Sequence, residues 1–148
     1  MTSLNQNQIK EYIPHREPFL FIDELIDIEK LKKATGIKTF KENDYFFKGH
    51  FPEQPVVPGV ILVEMMAQTA AALIAYSIKE ETFDKIVYLM NIDNTKFRKR
   101  LFPNDKIFSK VNALRSKGRV WKFEGLVDEN EEKIAESIWC ATIMDKNK

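Results

Sequence analysis

An α+β domain, with one long buried helix packed on an antiparallel sheet of about five to six strands, is what the sequence predicts. Two observations carry this expectation. From Val60 to Tyr76 the residues are apolar almost all round, as in a helix surrounded by protein. The second half of the chain then alternates apolar and polar residues in segments broken by short polar turns, as in consecutive hairpins. The chain has 148 residues, 44% hydrophobic and 30% charged, which fits one globular domain over residues 1–148. No repeat, low-complexity tract or Gly/Ser linker suggests a boundary within it.

The elements follow in order. Gln6 to Tyr12 is expected to form a short first helix, ended by Pro14. Phe19 to Ile28 and Ala34 to Phe40 read as strands, being apolar and rich in β-branched residues. Glu42 to Val57 holds Gly49, Pro52 and Pro55, and prolines so close together exclude both a helix interior and a central strand. Pro58 suits a first helical position, because its missing N–H would have had no partner within the helix. After the long helix, strands are expected at Ile86 to Ile92, Lys106 to Leu114, Val120 to Val127 and Ile134 to Met144. Ser116-Lys117-Gly118 and Asp128-Glu129-Asn130 are the expected turns.

Bulk properties exclude several functions. A formal net charge of +1 offers no global attraction to nucleic acid or acidic membranes. The lone cysteine, Cys140, cannot form an internal disulfide and fits a reducing, cytoplasmic setting. Met1 to Lys10 lacks the apolar core of a secretory signal. The apolar run at 60–76 is short for a membrane span and carries Glu64 and Gln68 near its middle. Two histidines 35 positions apart and one cysteine form no metal-ligand cluster, and the five glycines form neither a phosphate loop nor a dinucleotide fingerprint. No metal and no cofactor are therefore expected.

The chemistry concentrates around the start of the long helix. His50 lies in the irregular stretch before it, and a histidine with an ordinary pKa near 6.5 can accept a proton at neutral pH. Glu64 is the only ionisable residue of the apolar helix short of its last turn, where Tyr76 stands. A carboxylate there is costly unless it is paired, hydrogen-bonded or neutral. One alternative is a thin wet stripe of Glu64, Gln68 and Ser77. The other, preferred because Ala71 and Ala75 continue that stripe, is a carboxyl lining a cleft. Desolvation would keep such a group protonated and able to donate. An acid and a base held in one cleft suit an elimination. Gly59 adds an N–H in the first turn, approachable for lack of a side chain and favoured by the helix dipole as a site for a carbonyl oxygen. Glu64 begins about 7.5 Å further along the axis, with its side chain leaning back toward that point.

Ile13-Pro14-His15-Arg16-Glu17-Pro18-Phe19, Gly49-His50-Phe51-Pro52 and Pro58-Gly59-Val60 together resemble the bacterial β-hydroxyacyl-[acyl-carrier-protein] dehydratases of type II fatty acid synthesis. Glu64, Met66-Ala67-Gln68, Ile92-Asp93, Lys96-Phe97-Arg98 and Pro103-Asn104-Asp105 extend the resemblance over nearly the whole chain. The resemblance implies a hot-dog fold, with the sheet wrapped around the helix, and a homodimer that assembles into a hexamer. It implies that His50 takes the proton from C2, that Glu64 of the second subunit protonates the departing 3-hydroxyl, that Gly59 holds the thioester oxygen and that Gln68 orients Glu64. The product would be a trans-2-enoyl thioester serving membrane fatty acids or lipid A. A related branch that also isomerises the double bond has Asp where this chain has Glu64.

The same resemblance makes Lys96, Arg98, Lys99 and Arg100 a dock for the acidic acyl carrier protein, although a basic run of this kind is also what a solvated strand end looks like. Glu53-Gln54 departs from the small and basic residues common there in the family. His15 is read as structural, fixing the approach to the first strand. Phe97 and Phe102 are candidates to gate the acyl tunnel. A hot-dog thioesterase and a non-catalytic acyl-binding module are the competing functions, and the second would need neither His50 nor Glu64.

Overall fold

The computed structural model describes residues 2–78 and 85–145. In chain order the elements are β1 (Thr2–Asn5), α1 (Gln6–Ile9), β2 (Glu24–Glu29), β3 (Lys33–Thr39), a 3-10 turn (Tyr45–Lys48), α2 (Gly59–Ser77), β4 (Lys85–Phe97), β5 (Lys106–Lys117), β6 (Val120–Glu129) and β7 (Glu132–Asp145). The strands form one sheet in the order β1-β2-β3-β5-β6-β7-β4, and every neighbouring pair is antiparallel.

Seven strands replace the expected five to six. The added one is β1, a polar edge strand whose only buried residue is Leu4 and whose composition carries almost no alternation. The expected strand at 19–28 is shorter, beginning at Glu24. Upstream, the backbone turns from strand pairing to side-chain partners on α2 and loses its ladder. Helix α1 stops at Ile9 instead of Tyr12, and it starts from a capping box in which Asn5 and Gln8 satisfy each other's backbone N–H groups. Pro58 is the N-cap, in extended geometry, so the long helix begins one residue later than expected, at Gly59. The β6–β7 turn sits at Asn130-Glu131, both with positive φ, later than the predicted Asp128-Glu129-Asn130.

Helix α2 packs against one face of the sheet. Met65, Met66, Leu73 and Ile74 are fully buried. Each such side chain contributes roughly 1.5–3 kcal/mol through the apolar surface it removes from water. Facing them are Ile107, Val111, Phe123, Val127, Ile134 and Trp139 on the strands, with Phe123 and Trp139 stacked at 5.7 Å. Gly125 makes this contact possible: a Cβ there would come within 2.8 Å of both the Met66 sulfur and the Trp139 ring. Among the described residues α2 is the one helix long and apolar enough to cross a bilayer, and 72% of its most apolar stretch is instead buried inside the fold.

Candidate active site

On α2, Glu64 and Gln68 stand one turn apart and face the same way. Gln68 is 1% exposed. Its Oε1 accepts the Phe21 N–H at 2.8 Å, while its Nε2 donates to the Phe19 carbonyl and to Glu64 Oε2, both at 2.9 Å. Because a backbone N–H can only donate, the amide cannot flip, and its NH2 is obliged to face Glu64. The wet-stripe alternative is therefore excluded: Gln68 is a buried clamp joining α2 to the segment before β2.

Glu64 itself is 23% exposed at its side chain. Loss of water around it raises its pKa, a shift only partly offset by the Gln68 hydrogen bond that favours the charged form. It borders a cavity of about 230 Å³ lined also by His15, Phe19, Gln68, Phe123 and Trp139, and along one side by Val87, Tyr88 and Leu89 of β4. Its tightened hold on a proton suits this carboxyl to donate to a group bound in the cavity.

His50 follows the 3-10 turn, whose end ties the His50 N–H to the Phe46 carbonyl at 3.0 Å. Its backbone carbonyl accepts from the Val56 N–H at 3.1 Å, and its ring Nδ1 lies 3.0 Å from the Val56 carbonyl. A carbonyl only accepts, so Nδ1 carries the hydrogen, and in the neutral ring Nε2 is left as the nitrogen that can accept. Phe51 stacks on the ring at 4.3 Å. The next residues run to the helix, where the Val57 N–H bonds the Leu101 carbonyl at 2.9 Å.

Gly59 opens α2, and the Phe97 ring lies against it, so that a Cβ at this position would approach a ring carbon to 2.9 Å. Phe97 is half exposed, at the far end of β4 from Val87. Phe102 is exposed in the connection to β5, where its N–H bonds Asp105.

The predicted residues thus fall into two groups. Glu64 and Gln68 are together, near the start of β4. His50 and Gly59 are tied to Leu101 and Phe97, at and beyond the end of β4, and His50 is absent from the lining of Glu64's cavity. Of the predicted basic residues, Arg98 pairs with Glu136 at 3.0 Å and Lys99 with Glu132 at 2.8 Å. Lys96 borders a concavity of about 530 Å³ on the outer face of the sheet, and Arg100 lies in the exposed connection after β4.

One residue was read differently from the sequence. His15, taken there as structural, lines Glu64's cavity, with its Nε2 3.6 Å from Glu64 Oε2. It is brought there by the segment that leads to Phe19, whose backbone binds the same Gln68 that holds Glu64, a link that spacing along the chain does not reveal.

Residues 13–138 match the FabA-like domain family. The chain is 44% identical to the 3-hydroxyacyl-[acyl-carrier-protein] dehydratase FabZ of Rhodospirillum rubrum, over 98% of this chain and 91% of the relative. It is 43% identical to the same-named protein of Gluconobacter oxydans, over 96% and 84%. Among solved structures, a chain of the dehydratase heterocomplex ApeI:P from Xenorhabdus doucetiae superposes with a TM-score of 0.77 at 16% identity, covering 93% of this chain and 91% of that one. The shared architecture is the hot-dog fold.

Proposed function

The chain belongs to the FabA-like family, beside the FabZ dehydratases, and from that membership we propose that it removes water from a (3R)-3-hydroxyacyl-[acyl-carrier-protein] to leave the trans-2-enoyl thioester. It acts as a hydro-lyase in fatty acid synthesis, in the cytoplasm. The thioester carbonyl sits at the Gly59 N–H, at the positive end of α2. One such donor is worth roughly 2.7–4 kcal/mol to an enolate-like transition state. His50 Nε2 takes the C2 proton. The electron pair of that C–H bond becomes the second C2–C3 bond as the C3–O bond breaks. Glu64 gives its proton to the departing oxygen, which leaves as water. Proton exchange with solvent then returns His50 and Glu64 to their starting states.

The setting of Glu64 carries the proposal: a mostly buried carboxyl, held by Gln68 beside a largely apolar cavity and raised in pKa by desolvation, is suited to donate to a leaving hydroxyl. The fixed tautomer of His50 supports the complementary role.

His50 and Glu64 meet in a homodimer. Strand β4 is a 13-residue edge of the sheet, and it exposes Tyr88, Leu89, Met90 and Ile92. An edge so long and apolar calls for a partner. Antiparallel pairing of two β4 strands about their middle sets the Val87–Leu89 end of one copy, beside Glu64, against the Phe97 end of the other, beside His50. Dimers then assemble into a hexamer. Lys96, Arg98, Lys99 and Arg100 receive the acidic carrier, with Arg98 and Lys99 exchanging Glu136 and Glu132 for carrier carboxylates.

The test is turnover of a 3-hydroxyacyl carrier substrate with products resolved by mass spectrometry. Loss of one water with the thioester intact is the expected result. Hydrolysis to a free acid would make the protein a thioesterase, and an unchanged substrate bound to folded protein would make it a binding module.

A further inference from the structure

Among the described residues Gln68 Nε2 bonds Glu64 Oε2 at 2.9 Å, and His15 Nε2 stands just outside hydrogen-bond range of it at 3.6 Å. The His15 ring is largely buried, and among the described residues its Nδ1 has no hydrogen-bond partner. A buried N–H without a partner is rarer and more costly than an idle lone pair. The hydrogen therefore belongs on Nε2, facing Glu64. The loop holding the ring is itself clamped, since the Arg16 guanidinium donates to the carbonyls of Lys10, Ile13 and His15 at 2.7–3.0 Å. Burial, and secondarily the charge of Arg16, hold the His15 pKa below its ordinary value, so the ring is a neutral donor near pH 7.

We propose that His15 is a positioning residue for Glu64: with Gln68 it donates to Oε2 as the carboxylate forms, so that Oε1 is the oxygen that delivers the proton. This rests on the dehydratase function and deepens it. In the protonated acid, Oε2 is the carbonyl oxygen, bonded to Gln68, and His15 waits beyond hydrogen-bond distance. When the proton leaves Oε1 for the substrate hydroxyl, negative charge on Oε2 draws the His15 N–H into a charge-assisted bond. No proton passes through His15. Among the described residues, the titratable groups bordering the cavity are Glu64, His15 and Tyr88, with Arg16 the charge beside His15. In the proposed dimer His50 of the second copy joins them.

The test compares His15→Met, which keeps apolar bulk without a donor, with His15→Gln, which restores an N–H at similar reach. In His15→Met, kcat should fall about ten- to a hundredfold, the loss of one hydrogen bond to a charged group. KM should change little. The alkaline limb of the kcat profile should move to higher pH, because Glu64 has lost a donor that favours its charged form. His15→Gln should recover both. An unmoved limb with equal impairment in both variants would reduce His15 to a packing role and overturn the proposal. Nitrogen NMR of the wild-type ring needs no variant to fold. It should show a neutral Nε2–H ring whose Nε2 signal follows the ionisation of Glu64, a response lost in Glu64→Gln, and an Nδ1–H ring would overturn the proposal. If wild-type protein does not dehydrate, the functional reading fails while the NMR result still decides the contact.

Discussion

Glu64 combines features that pull in opposite directions, because the burial that raises its pKa for chemistry makes its ionised form costly to the fold. The folded state holds the Glu64 proton more tightly than the unfolded chain does. Its contribution to stability is therefore full at low pH and is lost as pH rises through the raised folded value. Glu64→Gln keeps the shape and cannot ionise. Turnover should fall by roughly 10²–10⁴, the usual share of a general acid, and the variant should melt above wild type at alkaline pH while matching it in acid. Kinetics and melting curves across pH check both halves, and near wild-type turnover would remove Glu64 from the mechanism. At this scale the sequence was informative wherever a residue broke a pattern: Glu64 and Gln68 interrupt an apolar helix, and His50 stands just ahead of a run of prolines at 52, 55 and 58. His15 breaks no pattern, since a polar residue in a loop is ordinary, and only the folded chain shows which carboxyl it faces.

Between residues and fold, Gln68 does more than orient one carboxyl. Its amide completes the backbone of Phe19 and Phe21, a segment without a strand partner of its own, where apolar composition alone suggested a strand. Composition reports burial but not whether backbone groups pair with a ladder or a side chain, so the segment was misread as strand although Leu20, Phe21 and Ile22 are indeed buried. Strand β1 was missed for the converse reason, because its pairing with β2 rests on backbone bonds and a single buried leucine. Gln68→Leu should strand the Phe21 N–H and the Phe19 carbonyl, at about 1–3 kcal/mol for each group. Denaturant melts should show that loss together with reduced turnover. Undiminished stability would mean that these backbone groups find other partners.

Over the whole molecule, the long helix, the hairpins and their order followed from periodicity, and the hot-dog architecture followed from the resemblance. How the two halves of the site come together did not follow from spacing along the chain. Gly59 and Glu64 are close in sequence, yet Glu64 opens to the start of β4 while His50 and Gly59 are tied to its far end and to Leu101 beyond it. The proposed antiparallel pair of β4 edges would resolve this by giving each site a base from one copy and an acid from the other. The most direct measurement of that claim is subunit complementation, in which His50→Ala and Glu64→Gln chains, each inactive alone, are co-expressed in equal amounts. Half of the dimers would be mixed and each would carry one intact site, so the mixture should regain about a quarter of wild-type turnover. A mixture of verified mixed dimers as inactive as its parents would contradict a site shared between two copies.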